Sequence, residues 1–350
     1  MSHEISIPEL MAVCVKAAEK ACNRIRIIHA SGNLHPIEKG DGRDSVTGRR
    51  IADLQTEADR QSEAIVFSVL RRHLGDVKIV GEEQSSGGLV LSDDEGNHSR
   101  SNSIVGTLES TFDKVKRIVG SQLGSSVRVK IDQLAIFVDP LDGTSQFVHG
   151  SLHCVSVLIG VALQGARFAG VIARPFPDTE FPHSFMYGIV GIGSFLDHTP
   201  ISAIPSQRHS LLIATSPNRS TRLLDEFLEE VPAEVLKVGG AGWKCWLVAS
   251  RTADCYLYAR PGTKKWDVLA GDAIISALGG VVTDACGRPF RYDVDDLSYN
   301  NDWGLIASFD KQLHFNSIVP ACHRILADES SDERNLQWPH GLSVPTMNRS

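Results

Sequence analysis

The sequence lacks an excess of positive charge. Its 350 residues include 35 Lys and Arg against 42 Asp and Glu, for a formal net charge of −7. Because a nucleic-acid backbone is held mainly by clustered cations, we expect no polymeric DNA or RNA partner. A few local cations or metal ions can still outweigh the overall field at one site, so a small phosphorylated ligand remains compatible with this composition.

Long apolar segments and paired cysteines are also missing from the sequence. The longest uninterrupted apolar runs fall well short of the ~20 residues that cross a bilayer, so we expect no membrane partner. The 7 cysteines are scattered and form no Cys-x-x-Cys pair, which is typical of a cytosolic protein whose thiols are reduced. Residues Met1–Leu10 show no basic-then-apolar signal pattern. These features together predict a cytoplasmic protein.

The length and the alternation of patterns predict two domains, since a domain typically holds roughly 100–200 residues. Residues 1–200 are predicted to form an N-terminal α+β domain, and residues 201–325 a C-terminal α/β domain. A polar, turn-rich stretch at about 84–130 is predicted to be a mobile insertion. Residues 326–350 are predicted to be a polar tail.

Two helices are indicated in the N-terminal part of the chain. Ser6-Ile7-Pro8-Glu9 is a capping-box pattern, and apolar residues with helical spacing follow it, so we predict a helix over about 8–30. A second helix is predicted from about Thr56 to Leu74. The β-branched run Val77–Val80 then predicts a strand that leads directly into Glu82 and Glu83.

The motif Asp139-Pro140-Leu141-Asp142-Gly143-Thr144 carries the clearest chemical signal. It follows a predicted buried strand, and two carboxylates three residues apart across a turn can face the same side. Clustered carboxylate oxygens are what hard divalent cations prefer, and the turn also frees the Leu141 carbonyl. The Gly143 N–H and the Thr144 hydroxyl could then contact a phosphate oxygen. The alternative for this motif alone is an acidic surface turn.

A covalent aspartyl mechanism is disfavoured by the spacing of this motif. Haloacid-dehalogenase-type phosphotransferases use Asp-x-Asp-Gly-Thr after a strand, with the first Asp as nucleophile. Here two residues separate Asp139 from Asp142. The extra residue changes the direction of the second carboxylate.

Further carboxylates stand at the ends of other predicted elements. Glu82 could complete a metal site, although a carboxylate at a strand end can also simply face solvent. Asp53 and Asp267 each lie at the start of a predicted helix, where a carboxylate serves first as a cap. Lys264 and Lys265 stand just before Asp267, and lysines beside a carboxylate suit a site for a multiply charged anion.

The order of these motifs resembles the inositol-monophosphatase-like superfamily of lithium-sensitive, magnesium-dependent phosphatases. The resemblance covers about residues 10–310 and implies an α/β fold, a layered αβαβα sandwich in which sheets and helix pairs alternate. The motifs that carry it are Asp53…Thr56…Asp59, Gly81-Glu82-Glu83, Asp139–Thr144 and Trp266-Asp267…Gly279-Gly280.

The resemblance also implies roles for individual residues. It implies two or three Mg²⁺ ions as cofactor, held by the carboxylates of Glu82, Asp139, Asp142 and Asp267 and by the carbonyl of Leu141. Asp53 and Thr144 would orient or deprotonate the attacking water. Gly143 and Thr144 would contact the equatorial oxygens of the phosphoryl group, which needs positioning and charge neutralisation more than covalent help.

Within the superfamily the chain is similar to two groups. Ala52–Thr56, Val238–Gly242 and Pro261–Asp267 resemble the 3′(2′),5′-bisphosphate nucleotidases. Gly242-Trp243-Lys244 and Leu152–Gly160 resemble the inositol polyphosphate 1-phosphatases instead.

The nucleotidase resemblance implies particular substrate contacts. They are Thr215, Gly240 and Lys264, together with Asn218, which stands where nucleotidases commonly place a histidine.

Three functional hypotheses follow. The first is a Mg²⁺-dependent phosphatase that converts adenosine 3′,5′-bisphosphate to AMP and phosphate. The second is a 1-phosphatase acting on inositol 1,4-bisphosphate, and a chain with both activities is compatible with the motifs. The third is a catalytically inactive regulator that binds metal and phosphate, which would require a missing ligand, and the sequence lacks none.

Overall fold

A computed structural model describes residues 3–39, 54–83, 110–123, 127–201, 209–217, 221–294 and 298–331. Two predicted site residues, Asp53 and Asn218, lie outside these ranges. So do residues 84–109, the larger part of the predicted mobile insertion, and residues 332–350 of the predicted tail. No helix of the described residues is long and apolar enough to cross a membrane.

The described residues form strands and helices in the following order along the chain. The strands are β1 (Glu4–Ser6), β2 (Ile37–Glu38), β3 (Leu54–Gln55), β4 (Lys78–Gly81), β5 (Arg128–Lys130), β6 (Leu134–Asp142), β7 (Ser156–Leu163), β8 (Ala166–Ala173), β9 (Phe185–Ile189), β10 (Gly193–Leu196), β11 (Thr199–Pro200), β12 (Leu212–Thr215), β13 (Glu234–Lys237), β14 (Cys255–Tyr258), β15 (Thr263–Lys264), β16 (Val281–Thr283), β17 (Asn300–Asn301) and β18 (Leu305–Ser308). The helices are α1 (Ile7–Ser31), α2 (Glu57–Leu74), α3 (Thr111–Leu123), α4 (Thr144–Val148), α5 (Thr221–Glu230), α6 (Ala241–Ala249), α7 (Lys265–Ala277), α8 (Lys311–Leu313) and α9 (Val319–Ser331).

The first layer is the helix pair α1 and α2. Helix α1 begins where predicted, because the Ser6 side chain accepts a hydrogen bond from the Glu9 N–H, and it ends at Gly32, which has a φ of 71°. Its apolar face is buried in one cluster with α2, α3 and the inner face of the first sheet. Burial of this face, more than helix propensity, stabilises α1 in place.

The second layer is a seven-stranded sheet in the order β11-β10-β9-β8-β7-β6-β4. Neighbouring strands run antiparallel except for β4 and β6, which are parallel with Gly81 opposite Val138. Because parallel strands run toward the same edge, Glu82, which follows β4, and Asp139, which follows Val138 within β6, lie together there. The Glu82 N–H donates to the Val138 carbonyl at 3.1 Å, which continues this alignment past the end of β4.

The third layer is the helix pair α6 and α7, which lies between the two sheets. Glycines in the first sheet allow α7 to approach closely, because a Cβ at Gly160 would overlap Leu269 and one at Gly170 would overlap the backbone of Ala270. This contact determines how closely α7 packs against the first sheet. It thereby places Asp267, in the first turn of the helix, beside the edge where β4 and β6 end.

The fourth layer is a five-stranded sheet in the order β13-β12-β14-β18-β16, and α5 and α9 cover its outer face. From β12 the chain moves to β13 on one side and then to β14 on the other, and all three strands are parallel. The carboxyl end of β12 is therefore a topological switch point, where α/β proteins bind ligands. The layers follow the order αβαβα, so the predicted fold class is confirmed.

A buried histidine predicts how stability depends on pH. His314 is fully buried, and its two ring nitrogens meet Ser308 Oγ at 2.6 Å and Thr283 Oγ1 at 2.9 Å. Burial lowers the pKa of His314 from 6.5 to about 4. The unfolded chain then binds a proton that the folded chain rejects, so the free energy of unfolding falls as the pH drops below 6.5.

We expect His314 to contribute up to ~3 kcal/mol to this loss between pH 7 and pH 4. The measurement is urea unfolding of the wild type and of His314→Gln at pH 7.5 and pH 5. The variant should lose less stability than the wild type over this interval. If both proteins lost the same free energy of unfolding, the lowered pKa of His314 would be contradicted.

Candidate active site

The motif of two aspartates forms the irregular end of strand β6. Asp139 pairs with Leu158 and Asp142 with Ser156 on β7, and the register shifts between the two aspartates. Asp139 Oδ1 accepts a hydrogen bond from the Leu141 N–H at 3.1 Å. Both carboxylates are buried, at 2% and 7% exposure. The motif is therefore part of the core, and the alternative of a surface turn is wrong.

Asp142 is held by three donors from two layers of the fold. Ser156 Oγ donates to its Oδ2 at 2.8 Å. The N–H groups of Ala241 and Gly242, at the start of α6, donate to Oδ1 and Oδ2 at 2.8 Å each. Burial raises the pKa of Asp142 in spite of the Lys244 ammonium and these hydrogen bonds, which favour the charged form. The carboxylate is thus fixed in orientation through both of its oxygens.

Glu82, Asp139 and Asp267 come together at the edge where β4 and β6 end. Burial raises the pKa of Glu82 to about 8 and that of Asp267 to about 7. The pKa of Asp139 is raised well above its ordinary value, first by burial and then by the charges of Glu82, Asp142 and Asp267. The charge of Asp267 likewise opposes the ionisation of Glu82, so these carboxyl groups lie close together.

Lys39 neutralises part of this acidic group. Its ammonium lies 2.9 Å from Glu82 and 2.6 Å from Glu83, and the side chain of Glu83 is only 1% exposed. The two carboxylates raise the pKa of Lys39 even though burial opposes its charge. Glu83 also accepts a hydrogen bond from Gln55 and, through its backbone N–H, donates to Glu63 at 3.0 Å.

The donor set fits hard divalent cations. Within the described ranges, no three Asp, Glu, His or Cys side chains are arranged so that they could hold a metal ion as they stand. The available donors are oxygens, from the buried carboxylates of Asp139 and Asp142 and the half-buried ones of Glu82 and Asp267, and a divalent cation would offset their negative charge. Glu82, Asp139, Asp142, Asp267 and the Leu141 carbonyl, all predicted as ligands, lie in or beside this group.

Thr144 contacts an aspartate to which the sequence analysis gave no role. Its hydroxyl lies 2.8 Å from Asp59 Oδ1 and 3.1 Å from the Leu141 carbonyl, and can donate to either. Asp59 is 1% exposed, and its Oδ2 accepts from the N–H of Thr56 at 2.7 Å and also from the Thr56 hydroxyl. Burial raises the pKa of Asp59. The assignment of Asp53 as the partner of Thr144 stays a prediction, because Asp53 lies outside the described residues.

Asp59 could have been found from the sequence by its capping-box spacing. Thr56 and Asp59 form this box at the start of α2, and the pattern indicates that a helix begins there. It does not show that the second carboxylate oxygen of Asp59 is available for another contact. Only the packing of α2 against the end of β6 brings that oxygen to Thr144.

Two glycines line the site where a side chain would not fit. Gly143, with φ of 86°, precedes α4, and its Cβ would lie 3.2 Å from the Cys154 carbonyl. Gly240, with φ of 71°, precedes α6, and a Cβ there would overlap the same carbonyl and lie 3.1 Å from Asp142 Oδ2. Both positions therefore require glycine, because each turn packs closely against the Cys154 carbonyl and has a positive φ.

The predicted substrate contacts lie at two places around the carboxylates. Thr215 stands at the carboxyl end of β12, the switch point, and its hydroxyl donates to the Leu257 carbonyl at 2.9 Å. Lys264 caps α7, its N–H donates to Asp267 Oδ2 at 2.7 Å, and its ammonium donates to Asn300 Oδ1. Lys264 thus lies beside the acidic group with its ammonium at the surface.

Comparison with known proteins finds similar sequences and a similar fold. The chain is 31% identical over 328 residues to 3′(2′),5′-bisphosphate nucleotidase 1 of Rattus norvegicus, covering 91% of this chain and 96% of the relative. It is 31% identical over 319 residues to the Homo sapiens protein of the same name, covering 89% and 94%. An IMPase structure from Thermotoga maritima matches with a TM-score of 0.60 at 21% identity, covering 90% of this chain and 96% of that one.

The family model described as the inositol monophosphatase family matches residues 9–317. The predicted enzyme class, a phosphoric monoester hydrolase, is confirmed by this match and by the named relatives. A family of this kind is generally metal-dependent, in agreement with the oxygen-rich donor set. The chain therefore belongs to the inositol monophosphatase family.

Proposed function

We propose that this protein is a Mg²⁺-dependent 3′(2′),5′-bisphosphate nucleotidase that hydrolyses adenosine 3′,5′-bisphosphate to AMP and phosphate. The observation that carries the proposal is the group of buried and half-buried carboxylates at the ends of β4 and β6, with the Thr144–Asp59 pair beside it. The substrate follows from relatives of that name, which align over about nine-tenths of the chain. The proposal includes inhibition by Li⁺ and a cytoplasmic location.

Metal binding is assigned to the chain's oxygen donors. Glu82, Asp139, Asp142, Asp267 and the Leu141 carbonyl would hold two or three Mg²⁺ ions. When bound, Mg²⁺ neutralises phosphoryl charge and lowers the pKa of a bound water. Asp142, fixed by the start of α6, keeps its carboxylate in one orientation without reorganising during the reaction.

Thr144 and Asp59 would handle the proton of the attacking water. When the Thr144 hydroxyl donates to Asp59, the lone pairs of its oxygen are left to accept a hydrogen bond from water. Burial makes Asp59 a better proton acceptor than an exposed aspartate. The N–H groups at the Gly143 turn would contact the phosphoryl oxygens.

The substrate assignment is tested by measuring phosphate release from adenosine 3′,5′-bisphosphate and inositol 1,4-bisphosphate under identical conditions, with and without Mg²⁺. We expect Mg²⁺-dependent release, faster from the nucleotide, and stronger inhibition by LiCl than by KCl. A faster rate on inositol 1,4-bisphosphate would favour the 1-phosphatase hypothesis. No release from either substrate would favour the inactive regulator.

The metal assignment predicts the effect of Asp142→Asn. The substitution keeps the shape of the side chain and removes one negative charge, so we expect kcat to fall by about two orders of magnitude or more. Asp272→Asn is the matched control, because Asp272 is also buried but contacts Tyr292, Ser276 and Arg167 away from the site. The control should lose stability and keep its turnover. Wild-type turnover of Asp142→Asn at saturating Mg²⁺ would refute the site.

The proton-transfer assignment predicts the effect of Asp59→Asn. An amide cannot accept the proton, so kcat should fall by about 10²–10⁴ while the Mg²⁺ concentration for half-maximal rate stays near that of the wild type. Because Asp59 also caps α2, thermal unfolding must be measured in parallel. A change in Mg²⁺ dependence without a change in kcat at saturation would show that Asp59 serves the metals instead.

The second phosphate of the substrate predicts a role for Lys264. A lost charge-assisted hydrogen bond is worth roughly 1.5–3 kcal/mol, but exposure of the ammonium reduces this value. We therefore expect Lys264→Ala to raise KM for adenosine 3′,5′-bisphosphate severalfold and to change KM for inositol 1-phosphate much less. Equal changes on both substrates would remove Lys264 as the anchor of the second phosphate.

A further inference from the structure

Helix α6 contains a buried lysine that no step of the proposed reaction uses. Lys244 is 1% exposed and is the fourth residue of the helix. Its side chain turns back toward the helix start, where the ammonium donates to the Gly240 carbonyl at 2.6 Å and reaches the Val238 carbonyl at 3.4 Å. The ammonium also lies 4.9 Å from the centre of the Tyr256 ring. Such a buried ammonium is costly unless its donors are used, and here carbonyl oxygens accept from it.

The carbonyls that Lys244 contacts belong to the turn that positions Asp142. The turn leads directly into Ala241 and Gly242, whose N–H groups donate to the two carboxylate oxygens of Asp142 at 2.8 Å. Gly240 has a φ of 71°, and because glycine also adopts other backbone conformations readily, hydrogen bonds to this turn restrict its shape. At the other end of the turn, the Val238 N–H donates to the Thr215 carbonyl at 2.9 Å.

We propose that Lys244 is a positioning residue for the metal site: by binding the carbonyls of the Val238–Gly240 turn, it keeps the start of α6 aimed at Asp142. This inference rests on the proposed function, because it takes Asp142 as a metal ligand. It also gives a structural role to the Gly242-Trp243-Lys244 segment, which resembles the inositol polyphosphate 1-phosphatases.

The positive charge and the positioning role of Lys244 have opposite effects on metal binding. The charge repels a divalent cation, so removing it would by itself tighten binding. Loss of the hydrogen bonds would let the turn relax and Asp142 rotate, which would weaken binding. The ammonium is hydrogen-bonded to carbonyl oxygens, which reduce its repulsion of a bound cation. We therefore expect the loss of positioning to outweigh the loss of charge, so that metal binding weakens. Loss of groups that orient metal ligands typically weakens metal affinity or activity by about 10–100-fold.

The test is direct binding of Mn²⁺ to wild type and Lys244→Met, followed by the electron paramagnetic resonance signal of free Mn²⁺ without substrate. We expect the dissociation constant to rise about tenfold or more in Lys244→Met. The Mg²⁺ concentration for half-maximal phosphate release should rise in parallel, with KM at saturating Mg²⁺ within about twofold of wild type. Binding as tight as in the wild type, or tighter, would overturn the inference.

Leu247→Ala is the matched control, because Leu247 is a 1% exposed apolar residue of the same helix. It should destabilise the protein and leave Mn²⁺ binding unchanged; a loss equal to that of Lys244→Met would show general loosening of α6 and overturn the inference. Lys244→Arg, which keeps charge and donors, should fall between wild type and Lys244→Met. If neither Lys244 variant folds, the side chain serves the fold alone and the inference fails.

The outcome also separates this inference from the proposed function. A wild type without Mg²⁺-dependent phosphate release would refute the proposed function. An active wild type with normal Mn²⁺ binding in Lys244→Met would refute only the role of Lys244.

Discussion

Burial of several carboxylates at one edge of the seven-stranded sheet is the constraint on which the rest of the site depends. An ionised carboxylate removed from water is strongly destabilising unless opposite charge or hydrogen bonds compensate it. The chain compensates in part, with Lys39 on Glu82 and with backbone N–H groups on Asp142. The remaining negative charge of the carboxylates is not compensated by the chain, and divalent cations can neutralise it.

Close packing between the layers brings distant parts of the chain to this edge. The parallel pair β4 and β6 supplies Glu82 and Asp139, whereas Asp267 comes from α7, which lies between the two sheets. Helix α7 can enter this space because Gly160 and Gly170 leave no Cβ in its path. A larger residue at either glycine would push α7 away and move Asp267 from the other carboxylates.

Helix starts hold aspartates of the site, as the starts of α2 and α6 illustrate. At the start of α2, Asp59 uses one oxygen for its own helix and the other for Thr144. At the start of α6, first-turn N–H groups that have no acceptor within the helix donate to Asp142, which comes from a different layer. In both places hydrogen bonds that a helix end needs in any case also fix a functional side chain.

The sequence by itself determined the local parts of this protein: the start of α1, the strands that precede Glu82 and Asp139, and the motifs that indicate the family. These depend on residues near one another in the chain, through capping, β-branching and spacing. Only the tertiary structure decided that Asp59 contacts Thr144, and that Lys39 and Lys244 lie at the acidic group. Thr144 is 85 residues from Asp59, and their contact depends on how α2 packs against β6. Local sequence patterns do not carry that information, because it arises from the packing of whole layers.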